Sequence, residues 1–154
     1  MVTMTNILVI DDRSDIRLSL VLLLEDQGYQ VIEADNPQSA QLKLKQQDVS
    51  LILLDMNFRL DTTSGEEGLQ FLSWLQSANY DIPVIAMTAW SNTELVVQAM
   101  KLGASDFIEK PWKNKQLIHL IKQQLSLSSL QEENAKYKQQ LNEPKIKHYQ
   151  WQSA

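Results

Sequence analysis

The chain has 154 residues, 44% of them hydrophobic and 21% charged, which is enough apolar material for one domain of ordinary size with an appendage. The lack of cysteine excludes a disulfide framework and any thiolate metal site, and the two well-separated histidines, His119 and His148, argue against a His-rich zinc or haem site. A formal net charge of −5, no apolar stretch of transmembrane length and no basic-then-apolar leader predict a soluble cytoplasmic protein that binds neither nucleic acid nor membrane.

Short apolar runs alternate with amphipathic stretches, the pattern of βα units around a parallel sheet. The first run, 6–10, ends in the pair Asp11-Asp12 and leads to a helix over 14–26, with Gly28 where a left-handed residue is wanted after the helix end. A second strand at 30–34 passes through Asn36-Pro37, an N-cap and a first-turn proline, into a helix over 37–47. The third run, 50–54, ends at Asp55. Ser64 with Glu67 has capping-box spacing before a helix over 64–77, in which Leu72 and Trp74 read as packing residues. A fourth strand, 82–87, ends at Thr88, and Ser91 with Glu94 opens a helix over 92–102 that Gly103 follows. The fifth strand, 106–109, ends in Lys110-Pro111, and a last helix begins near 113.

Five such units predict a flavodoxin-like, doubly wound, five-stranded parallel sheet of order 2-1-3-4-5 with five helices. From about 123 glycine disappears and glutamine becomes frequent. Leu127, Leu130, Asn134, Tyr137 and Leu141 there follow a 3-4-3-4 spacing, about two heptads with asparagine at one seam position. Pro144 stops any helix. The expected division is a domain over 1–124 and a C-terminal helical extension with a polar tail over 125–154. In that tail Lys136, Lys138, Lys145 and Lys147 are thinly spaced and read as solvated, and His119 reads as a surface residue.

In an open α/β sheet, ligands bind at the carboxyl ends of the strands. The predicted order sets strands 1, 3 and 4 side by side, so Asp11, Asp12 and Asp55 converge there with Thr88, and Lys110 joins them from strand 5. An Asp-Asp pair after a strand is by itself a common turn and cap. An acid ending a central apolar strand is costly without a partner, and the combination points to a site. Three clustered carboxylates raise one another's proton affinity, and Mg2+, which takes one or two carboxylates plus phosphate oxygens, relieves that repulsion. Carboxylates also form aspartyl-phosphate, and Asp55, on the central strand, is the best nucleophile, with Lys110 and the Thr88 hydroxyl placed to neutralise phosphoryl oxygens.

The run Ile7-Leu8-Val9-Ile10-Asp11-Asp12, Asp55 after its apolar strand, Thr88-Ala89 and Lys110-Pro111 resemble a bacterial two-component response-regulator receiver domain, the CheY-like type, over roughly residues 5–125. Met87-Thr88-Ala89-Trp90, Ala99 to Phe107 and Lys110-Pro111-Trp112 look most like receivers of the nitrogen-regulation (NtrC) type, which precede an AAA+ ATPase and a DNA-binding domain. The resemblance implies that Asp55 accepts phosphate from a sensor histidine kinase or phosphotransfer protein. It implies Mg2+ on Asp11 or Asp12, or both, with Asp55 and the backbone carbonyl of Asn57, phosphoryl contacts from Thr88 and Lys110, and Phe107 as the switch aromatic. It also implies a cis Lys110–Pro111 peptide that aims the lysine inward.

Two departures from the family pattern stand out. Asn57 to Ser64 holds no proline and makes the loop after Asp55 about three residues longer than usual, a tolerable surface insertion. Trp90 stands where the family has a smaller side chain and is expected to shield the acyl phosphate from water. The 154 residues hold no segment that reads as an ATPase or DNA-binding domain, and the expectation is a single-domain regulator or a piece of a longer one. Homodimerisation is expected through the C-terminal helix or the region around the fourth helix and fifth strand. The expected role is a signalling domain with self-catalysed phosphotransfer and slow autodephosphorylation, not a turnover enzyme. Position 57 is Asn where a haloacid-dehalogenase-type phosphatase needs a general acid. The first βα turn is acidic and glycine-free, against a nucleotide or flavin binder. A phosphorylation-independent interaction domain of the same fold is the remaining alternative.

Overall fold

The computed structural model describes residues 4–57, 66–89 and 93–141. The apolar runs form β1 (Asn6–Ile10), β2 (Gln30–Ala34), β3 (Leu51–Asp55), β4 (Val84–Thr88) and β5 (Asp106–Glu109). They alternate with α1 (Ser14–Asp26), α2 (Pro37–Gln46), α3 (Glu66–Ser77), α4 (Thr93–Lys101) and α5 (Asn114–Leu141). All pairings are parallel and the strand order is β2-β1-β3-β4-β5, the flavodoxin-like order expected from the sequence.

Every residue of β3 and β4 is buried, as strands covered on both faces require. The period-2 alternation sends side chains into two separate cores. Ile7, Val9, Leu51, Leu53, Ile85, Met87 and Ile108 pack with Leu20 and Leu24 of α1 and with Leu117 and Ile121 of α5. Leu8, Ile10, Ile52, Leu54, Val84 and Ala86 pack on the other face against Leu44, Phe71, Leu72, Leu75 and Leu95. Leu72 and Trp74 belong to this second core, Trp74 lying against Phe71 and Tyr80.

Helix ends follow local chemistry. Asn36 Oδ1 accepts from the Ser39 N–H at 2.8 Å, with Pro37 in the first turn. Gly28 and Gly103 adopt φ of +88° and +104°, a conformation open to glycine at little cost. Ser64 and Ser91, the other expected caps, lie outside the described residues. Helix α5 runs unbroken from Asn114 to Leu141, past residue 124, where the sequence suggests the domain ends.

Candidate functional site

Register delivers the acids. Ile10 pairs with Leu54, so the next residues, Asp11 and Asp55, come side by side at the carboxyl ends of adjacent strands. By strand parity both continue the face of Ile7, Val9, Leu51 and Leu53 toward α1 and α5. Lys110, two residues beyond Ile108, has the same parity, and its Nζ donates to Asp11 Oδ2 and Asp55 Oδ1, each at 3.1 Å. The lysine backbone is tied to β4 through its N–H to the Thr88 carbonyl at 2.6 Å, and the Lys110–Pro111 peptide is cis.

Both aspartates are 0% exposed. Each carboxylate bends back on the N–H two residues ahead, Asp11 Oδ1 on Arg13 at 2.9 Å and Asp55 Oδ1 on Asn57 at 3.0 Å. These Asx-type turns fix the two rotamers. Asp11 then has partners on both oxygens, whereas Asp55 has both on Oδ1, and its Oδ2 is buried with none among the described residues. Burial pushes the Asp55 carboxyl up from 3.8 to about 6, helped by the charge of Asp11 and opposed by Lys110 and the Asn57 N–H. Burial alone would lower the Lys110 ammonium, but Asp55 and Asp11 outweigh it and hold the lysine charged.

Asp11, Asp12 and Asp55 each present a carboxylate oxygen, and the three oxygens lie within 4.8 Å of one another. Three carboxylates gathered this closely repel one another, and a divalent cation relieves that repulsion. All the donors are hard oxygens, and Asp55 Oδ2, without a partner among the described residues, points to a ligand still to be supplied. This donor set fits Mg2+.

Thr88 is buried at the end of β4, next in line to this pocket. Phe107, on the edge strand β5, is 43% exposed and lies outside both cores. Trp112 packs against the α1/α5 core and His119 is exposed, as a surface residue should be. Trp90 and most of the loop after Asn57 lie outside the described residues.

Two features of the site were not anticipated from the sequence. Beyond its backbone, Asn57 accepts the Ala89 N–H on Oδ1 at 2.7 Å, joining the loop after Asp55 to the residue after Thr88. An Asx-forming residue just past a strand end was the available signal. Arg17 bonds the Asp11 carbonyl at 2.8 Å and Glu33 at 3.1 Å. One turn into a helix, it carried no signal in sequence.

A doubly wound sheet with acids and a lysine gathered at its strand ends defines an acidic switch-point domain. The chain belongs to the response regulator receiver domain family of two-component systems, whose model matches residues 7–122. It is 32% identical over 132 residues to an NtrX-like response regulator of Rickettsia bellii, covering 86% of this chain and 27% of that protein. Identity to the phosphate regulon transcriptional regulatory protein PhoB of Escherichia coli is 37% over 118 residues, 75% of this chain and 49% of PhoB. A crystal structure of NtrX from Brucella abortus superposes with a TM-score of 0.77 at 32% identity, over 88% of this chain and 30% of that one. The chain thus spans between a quarter and a half of these curated relatives. Among the described residues, no helix is long and apolar enough to cross a membrane.

Proposed function

We propose that this receiver accepts a phosphoryl group on Asp55 from a sensor histidine kinase or phosphotransfer protein in the cytoplasm, in a Mg2+-dependent reaction. The carrying observation is Asp55 Oδ2, a buried carboxylate oxygen with no hydrogen-bond partner among the described residues, set beside Lys110 and two further carboxylates. Asp55 Oδ2 attacks phosphorus and forms the O–P bond while the N–P bond of phosphohistidine breaks, its electron pair returning to the imidazole nitrogen. Lys110, bonded to the other Asp55 oxygen, stands ready to neutralise a phosphoryl oxygen, and the Thr88 hydroxyl donates to another. Asp11, Asp12, Asp55 and the Asn57 carbonyl would hold Mg2+, which supplies charge neutralisation on the phosphoryl oxygens when bound. Trp90 would shield the adduct from water.

Phosphate on Asp55 shifts the population between two packings of Thr88 and Phe107. Val97, Met100 and the half-exposed Phe107 already leave apolar surface on α4 and β5 for that change to act on. A second copy of the chain is the proposed partner, through that face or through the extension over 125–154, where Leu127 and Leu130 are 44% and 51% exposed. AAA+ and DNA-binding output domains would follow if the chain is part of a longer regulator like its NtrX-type relatives. Incubation with acetyl phosphate and Mg2+, read by mass spectrometry, tests the proposal. A phosphoryl adduct that needs Mg2+ and disappears in Asp55→Asn is expected. No adduct on the wild-type chain would leave only the phosphorylation-independent interaction domain.

A further inference from the structure

We propose that Arg17 is a positioning residue for the metal-binding carboxylates, acting through the single peptide group that joins Asp11 to Asp12. The inference rests on Mg2+ binding at those residues, as proposed above. Arg17 Nη1 donates to the Asp11 carbonyl oxygen at 2.8 Å, and Nε donates to Glu33 Oε1 at 3.1 Å. One guanidinium therefore links β1, α1 and β2, and its planar fork holds both acceptors in a fixed relation. The Asp11 N–H is meanwhile bound to the Ala34 carbonyl on β2 at 3.1 Å. Both peptide planes that flank Asp11 are thus anchored to β2, one directly and one through Arg17.

The consequence falls on Asp12. The carbonyl that Arg17 grips belongs to the same planar unit as the Asp12 nitrogen and Cα. Rotation of that plane would carry Asp12 away from the cluster, in which it contributes one of three oxygens within 4.8 Å. The Asp11 carboxylate is held as well by the Arg13 N–H and by Lys110. Glu33 adds a second effect. It neutralises a cation that would otherwise stand behind a site meant for another cation.

The Arg17–Glu33 pair has 18% and 48% of its side-chain surface exposed, so the pair itself contributes little to stability. The stake is the geometry of the acids. A purely structural arginine would lower the melting temperature when replaced and leave the Mg2+ affinity of the folded protein unchanged.

Calorimetric titration of the full chain with Mg2+ at pH 7 separates the two, using Arg17→Ala, Arg17→Met, Arg17→Lys and Glu33→Gln. Arg17→Met keeps much of the stem packing and guards against a variant that fails to fold. Mg2+ affinity is expected to fall by about tenfold in Arg17→Met and Arg17→Ala, the usual effect of losing a group that orients a ligand. Arg17→Lys should recover part of it, since a single ammonium lacks the fork. Glu33→Gln should show a smaller loss. Folded Arg17→Met with wild-type Mg2+ affinity would overturn the positioning role. A wild-type chain that itself binds no Mg2+ would instead remove the proposed function beneath it.

Discussion

Replacing Asp55 with asparagine tests the electrostatics of the pocket without any phosphodonor. The carboxyl stands at about 6 in the folded chain against 3.8 for an unperturbed group. At about 1.4 kcal/mol per pKa unit, keeping it ionised at pH 7 costs the fold about 3 kcal/mol relative to the unfolded chain. Because the folded state binds this proton more tightly, its contribution to stability is fully present below pH 3.8 and is lost as pH rises through about 6. Asparagine keeps the shape and cannot ionise, but it leaves Lys110 with Asp11 as its one carboxylate partner among those described. A net gain of about 1–3 kcal/mol is therefore expected, a rise in Tm of about 3–8 °C for a chain of this size. Thermal melts followed by circular dichroism in EDTA at pH 7 check this, and the gap should narrow at pH 4.5. Added Mg2+ at about a hundred times its Kd should stabilise wild type by about 2.7 kcal/mol and the variant far less. An Asp55→Asn protein that melts no higher than wild type in EDTA at pH 7 would refute the reasoning.

Lys110→Met removes the cation between two buried carboxylates and should destabilise the metal-free protein by about 3–5 kcal/mol, with Mg2+ restoring part of the loss in urea titrations. In Gly68→Ala, the added Cβ would come within 2.6 Å of Met56 Sδ and 2.8 Å of its Cε. Met56 is fully buried next to Asp55, so a loss of about 1–2 kcal/mol is expected in the same titrations. Leu130→Glu should abolish any dimer built on the extension while leaving the acetyl-phosphate adduct intact. Sedimentation with and without beryllofluoride reads the first, and mass spectrometry reads the second.

Most of the architecture was legible because its signals are local. The apolar runs ending in Asp55 and Thr88, the Asn36-Pro37 helix start and the two positive-φ glycines each reflect contacts within a few residues, and the strands fell within two residues of their expected bounds. The order of strands followed from general rules of right-handed crossovers, which is why the convergence of Asp11, Asp55 and Lys110 could be anticipated without coordinates. Phe107 shows the limit. A phenylalanine in a short strand looks the same in sequence whether it faces the core or solvent, and only the edge position of β5 leaves it half-exposed.

The amino-acid sequence by itself determined the kinds of groups at the pocket, their order along the chain and the strand ends that carry them. Tertiary structure alone decided which carboxylate oxygen is left without a partner among the described residues. That outcome depends on Lys110 bridging Asp11 and Asp55 across 99 and 55 residues of chain. It also decided that Arg17 reaches the Asp11 carbonyl and that the Asn57 side chain meets Ala89. Local periodicity sets which way a residue faces along its own element. The distance between two elements, and so every hydrogen bond between them, is set by strand register and by the packing of two cores around one sheet.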